Sequence, residues 1–122
     1  MAETPPRWTI EEYALPGREK PILTFLLGLV QRDKRDAIAL LQLIQERGNQ
    51  IRPPHSKLVE TGLFELRGQQ IRIFYMFLPG RRIVLLDGIV KKQDRIPQEV
   101  LKRVRGYRQA VEAAARKSAG GA

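Results

Sequence analysis

The chain has 122 residues, no cysteine, a single histidine (His55) and a formal net charge of +9 at pH 7. One hydrophobic core suffices at this length. The residue inventory excludes disulfides, thiol nucleophiles, thiolate metal sites and multi-histidine metal sites, which leaves a metal-independent chemistry or none, and no cofactor is expected. No apolar run reaches the roughly 18 residues needed to cross a bilayer, and the N-terminus lacks a basic-then-apolar signal, so the expected compartment is the cytoplasm, with no membrane partner.

The basic excess lies in the second half: residues 57–108 hold twelve Lys/Arg against five Asp/Glu, whereas residues 1–56 hold eight against seven. A concentrated excess fits a polyanionic partner, nucleic acid before acidic protein. A solvated basic face without specific purpose is the other reading.

In chain order, residues 7–15 alternate loosely around Trp8, Thr9, Ile10 and Tyr13 and predict a short strand, ended by Pro16-Gly17. Over residues 19–31, Ile22, Phe25, Leu26, Leu29 and Val30 recur at helical steps, with Pro21 in the first turn. A second helix is predicted over about residues 34–47, with Asp33 as N-cap and Gly48-Asn49 as stop, the two helices packing as a hairpin. Residues 48–56 read as a loop. Strands over residues 63–67, 70–78 and 82–91 then form an antiparallel meander through turns at Gly68-Gln69 and Pro79-Gly80. A last helix, residues 97 to about 117, carries Val100, Leu101, Val104, Tyr107 and Val111 on one stripe. Residues 118–122 are small and glycine-rich and are expected to be a flexible tail, leaving residues 1–117 as a single domain. The fold class is α+β: a small antiparallel sheet, the N-terminal strand plus the meander, packed with an N-terminal helical hairpin and a C-terminal helix.

Strand alternation sends Ile71, Ile73, Tyr75 and Phe77 to one side and Arg72, Phe74 and Met76 to the other. A two-residue turn at Gly68-Gln69 pairs residue 67 with 70 and residue 65 with 72, which puts Glu65, Arg67 and Arg72 on one face. An even-length loop at Pro79-Gly80 adds Asp87, Ile89 and Lys91 to that face, and Lys92 follows at its end. One reading is structural: cross-strand ion pairs, Glu65 with Arg72 and another at Asp87, worth about 0.2–1 kcal/mol each. The other is chemical: cleavage of an RNA phosphodiester gathers charge on phosphoryl oxygens, which guanidinium groups stabilise in a bidentate manner. His55 is either a base or plain surface, and of the strand aromatics only Phe74 is on the face where it can stack on a nucleobase.

The run GLFELRGQQIRIFYMF, followed by RRIVLLDGIVKKQDRIPQEVLKRVRGYRQ, resembles the phage-derived host-inhibition (HigB-like) branch of the RelE/HigB toxin superfamily of type II toxin–antitoxin systems. Its members read G-L-[YF]-E-L-R, then [YF]-R-[IV]-x-[YF], then L-x-G-x-x-K-K, and the likeness covers roughly residues 8–116. The resemblance implies a RelE-like fold and a metal-independent endoribonuclease, an mRNA interferase that cuts messenger RNA on the ribosome and inhibits translation. It also implies a cognate antitoxin, often a helix-turn-helix protein. By position it implies that Arg72 contacts the scissile phosphate and that Lys92 is the basic group after the last strand, while Lys57, Arg67 and Lys91 orient RNA. Asp87 stands where histidine is common, as either a proton-transfer carboxylate or a quencher of Arg72, and Ile96 replaces a capping Thr. The alternative is a non-catalytic RNA- or protein-binding module of the same fold.

Overall fold

The computed structural model describes residues 7–120. Its elements are β1 (Thr9–Glu12), α1 (Pro21–Leu27), α2 (Gln31–Arg47), β2 (Ser56–Glu60), β3 (Leu63–Arg67), β4 (Ile71–Leu78), β5 (Arg82–Val90) and α3 (Gln98–Gly120). The five strands form one sheet in the order β1-β5-β4-β3-β2. This is the expected α+β architecture, with two departures. β1 runs parallel to β5, Thr9 opposite Arg82 and Glu12 opposite Leu85, where the sequence predicts an all-antiparallel sheet. Side-chain alternation is the same in either direction, so it carries no information on orientation. The second departure is β2, in a segment whose start reads as loop: it is an edge strand with a bulge between Leu58 and Glu60, and its exposure lacks a clean alternation.

The sheet has helices on both faces. Ile71, Ile73, Tyr75, Leu66, Ile83 and Leu85 pack with Ile22 of α1 and Ala37, Leu40 and Ile44 of α2. On the other face Leu63, Phe74, Met76, Val84 and Leu86 pack with Val100 and Val104 of α3. The second face is therefore largely apolar and not a basic surface along its length; Arg67 and Arg72 stand on it near the β3–β4 turn, and Asp87 lies further along under α3. β4 is apolar at both parities apart from Arg72, the pattern of a strand covered on both sides. Burying each large side chain contributes about 1.5–3 kcal/mol. Tyr75 lies in the first core, where burial pushes its phenol up to about 12.

Local signals set several boundaries differently. Lys20 and Val30 precede α1 and α2 without side-chain caps, and Asp33 lies buried in the first turn of α2, not at its N-cap. Residues 31–33, where the first predicted helix ends and the second is capped, belong to α2, and the true link is Gly28–Val30. Gly48 ends α2 as expected, with a positive φ of 52° that suits glycine. Its missing side chain also leaves room for the Trp8 ring. The backbone N–H of Trp8 donates to the carbonyl of Gln45 at 3.0 Å, which docks the start of β1 on the end of α2. α3 starts after Pro97 and runs through Ser118 to Gly120; residues 121–122 of the expected tail lie outside the described residues. Among the described residues no helix is long and apolar enough to cross a membrane.

Candidate phosphate-binding cleft

The β3–β4 turn differs in register from a two-residue turn at Gly68-Gln69: Arg67 is opposite Arg72 and Glu65 opposite Phe74. The shift of two residues preserves parity, so the expected residues still share a face. On β5 the parity is restored by a different device. The loop Pro79–Arg81 has three residues, which alone would turn Asp87 toward α1 and α2. A bulge then lets Phe74 pair with Asp87 and Tyr75 with Leu85, leaving Leu86 as the extra residue. Asp87 and Ile89 thereby return to the face of Arg72.

Three hydrogen bonds build the site from the turn outward. Asp36 of α2 accepts the backbone N–H of Gln69 at 2.8 Å, and the absence of a side chain on Gly68 lets that carboxylate approach. The anchored turn presents the carbonyls of Gly68 and Ile71, and both accept Nη1 of Arg72 at 2.8 Å. Among the described residues nothing bonds to Nε or Nη2, so the remaining edge of the guanidinium is the two-nitrogen fork that matches a phosphate. Arg72 is only 7% exposed. Burial, then the neighbouring Arg67 charge, pushes its guanidinium below its ordinary value, against opposing pulls from Glu65, Asp94 and Asp36.

A cavity of about 570 Å³ is lined by Arg72 together with Arg67, Lys91, His55, Asp36 and Gln69 among others. Lys91 donates its backbone N–H to the carbonyl of Gln70 at 2.6 Å, tying the end of β5 to the turn, and its Nζ lies 3.0 Å from the exposed Asp94. That contact holds the Asp94 carboxyl below its usual range. Glu65 is buried and lies 3.6 Å from Nε of Arg67, with Oε2 unbonded. The expected Glu65–Arg72 pair does not form, because the register places Phe74 opposite Glu65.

The cleft thus gathers Arg67, Arg72 and Lys91. Lys57 is exposed on β2 opposite Glu65, on the same face but one strand further out. Three of the expected residues lie away from the cleft. Phe74 is fully buried in the core under α3 and has no face to offer a nucleobase. Asp87 accepts Nε of Arg103 at 3.0 Å and the N–H of Gly88 at 2.8 Å beneath α3, so its carboxylate serves the helix–sheet contact and does not line the cleft. Lys92 lines a different groove, with Arg95, and stands apart from the Arg72 cavity.

His55, a base or plain surface by sequence, belongs to the cleft: its carbonyl accepts the N–H of Arg67 at 2.9 Å, extending the β2–β3 ladder by one pair. The sequence carries a signal for this, since His55 lies two residues before Lys57 and shares its parity once β2 is recognised. Asp36 and Gln69 have no comparable signal, because their meeting depends on how α2 lies across the sheet.

No curated protein matches the chain at a significant level. A family model described as "Phage derived protein Gp49-like (DUF891)" matches residues 24–107, a span from within α1 through β2–β5 to the middle of α3 that includes every residue of the cleft. With more than half of its length matched, the chain belongs to the Gp49-like family of phage-derived proteins.

Proposed function

We propose that the chain is a RelE/HigB-like toxin of a type II toxin–antitoxin system, a ribosome-dependent endoribonuclease that cuts messenger RNA without a metal ion. The observation that carries this reading is the unbonded Nε/Nη2 fork of Arg72, fixed by two carbonyls at 2.8 Å, beside a cavity shared with Arg67 and Lys91. Membership of a phage-derived family supports it. When a ribose 2′-oxygen attacks the adjacent phosphorus and the bond to the 5′-oxygen breaks, negative charge grows on the non-bridging oxygens. A rigid, desolvated guanidinium stabilises that charge with little reorganisation. Arg67 and Lys91 add field, and Lys57 steers RNA at the rim. His55 is the group in the cleft that we assign to proton transfer, the role that Asp87 leaves open.

On this reading the site of action is the cytoplasm, the substrate is messenger RNA on the ribosome, and the neutralising partner is an antitoxin of the helix-turn-helix type. The rival is a non-catalytic RNA- or protein-binding module, favoured by the engagement of Asp87 with Arg103 where a family histidine is common. Induced expression followed by mapping of transcript ends separates the two. New ends in translated messages, absent with Arg72→Ala, are expected; an unchanged transcript pool with normal growth would sink the toxin reading.

A further inference from the structure

The loop after β5 is a ridge between two hollows. Lys91 lines the Arg72 cleft, whereas Lys92, the next residue, lines a second groove of about 620 Å³ between α1 and the start of α3, so adjacent cations line different cavities. The walls of the second groove are Phe25, Ile89, Pro97 and Val100, and its charged residues are Lys92 and Arg95. Among the described residues, no acidic side chain lines it. Both cations are exposed and form no ion pair among the described residues, whereas Lys91 is paired with Asp94 and Arg67 with Glu65. Gly88 explains the aromatic wall: a side chain at that position would run into the Phe25 ring, so the glycine lets Phe25 lie directly against β5. An apolar slot with one aromatic wall and two unpaired cations at its rim has the composition that holds a single-stranded nucleotide, its base against the ring and its phosphate on the cations.

We propose that this groove is a nucleotide subsite for the same RNA strand that lays a phosphate on Arg72, with the base between Phe25 and Pro97 and the backbone crossing the Lys91-Lys92 ridge onto Lys92 and Arg95. The inference rests on the RNA reading of the Arg72 cleft. It makes Lys92 a substrate-positioning residue and gives the protein a place to discriminate a base beside the bond it acts on.

Binding of a fluorescent single-stranded oligoribonucleotide of about eight nucleotides, read by anisotropy across a salt series, tests it on the intact chain. Lys92→Ala/Arg95→Ala folds as the parent does, since both side chains are exposed and unpaired. It is expected to weaken binding about tenfold and to lower the slope of log K against log salt by about 0.7 for each phosphate no longer neutralised. Replacing one base of the oligonucleotide at a time by an abasic ribose is expected to weaken wild-type binding about tenfold at one position, with no further loss at that position in Phe25→Leu. Arg72→Ala marks the cleft itself. Binding that depends on Arg72 but is indifferent to the double variant, or an abasic series without effect at any position, overturns the subsite and leaves the RNA reading standing. No binding by the wild type, or binding indifferent to Arg72→Ala, overturns both.

Discussion

Arg67 and Arg72 stand directly opposite one another on β3 and β4, a like-charged pair beside the turn that joins the two strands. Cross-strand neighbours of like sign destabilise a sheet, and here one member is also buried, so packing alone does not account for the pair. Glu65 offsets part of the repulsion from within β3, and an anion between the two guanidinium groups would offset the rest. On the proposed RNA reading, that anion is a phosphate of the bound strand.

Arg72→Lys keeps the charge and loses the fork. Lysine cannot hold both turn carbonyls and still present two parallel donors to a phosphate. RNA cleavage is expected to fall about 10²- to 10³-fold, the scale of losing one preorganised donor to a developing oxyanion, while the far-ultraviolet circular dichroism stays that of the wild type. Primer extension on a translated message measures the loss, and near-wild-type cleavage would remove the bidentate role.

Glu65→Gln removes the buried carboxylate beside Arg67. The expected cost is about 1–3 kcal/mol of stability, the scale of a buried polar group losing its charged partner, visible as a lower Tm. Because two arginines are then uncompensated, added sulfate should restore more of the missing Tm in this variant than it adds to the wild type. An equal response to sulfate in both proteins would dissociate Glu65 from the anion site.

His55 and Asp87 should separate into chemistry and scaffolding. His55→Ala is expected to leave stability within about 0.5 kcal/mol, since the residue is exposed, and to slow cleavage about 10²- to 10⁴-fold with oligoribonucleotide binding retained. Asp87→Asn is expected to lower the unfolding free energy by about 1–3 kcal/mol through the weakened bond with Arg103, while cleavage measured well below its Tm stays close to wild type. The reverse outcome, with Asp87→Asn inactive and stable, would return Asp87 to the proton-transfer step.

The contact of α3 with the β2–β3 turn should weaken in acid. Glu60 is held below the usual carboxylate range first by the hydrogen bond from Arg105 and then by its charge and that of Arg108, against an opposing effect of burial. A carboxylate whose folded value is depressed binds fewer protons folded than unfolded. Its contribution is therefore present above its unfolded value and is lost as the pH falls toward the folded one. Stability of the wild type is expected to decline more steeply below about pH 5 than that of Glu60→Gln, measured by urea unfolding at a series of pH values. Parallel declines would show that the clamp contributes nothing to acid sensitivity.

Periodicity alone carried the α+β class, four of the five strands, the sharing of one sheet face by Arg67, Arg72 and Asp87, and most of the buried helix stripes, though Val30 and Ile38 turn out exposed. Those features follow from periodicity, which survives an error of two residues in a turn, as between the expected pairing of residues 65 and 72 and the observed pairing of Arg67 with Arg72. Tertiary structure decided the rest, for reasons that local pattern does not contain. The direction of β1 depends on where a distant strand lies, and the availability of Phe74 depends on whether a helix covers that face, which α3 does. Asp87 holds its predicted parity only through a bulge, and its carboxylate then meets Arg103 sixteen residues later in the chain. The fork of Arg72 was beyond reach for the same reason: a side chain's unbonded edge is known only when its bonded one is, and that edge is fixed by a turn that Asp36 anchors from another element.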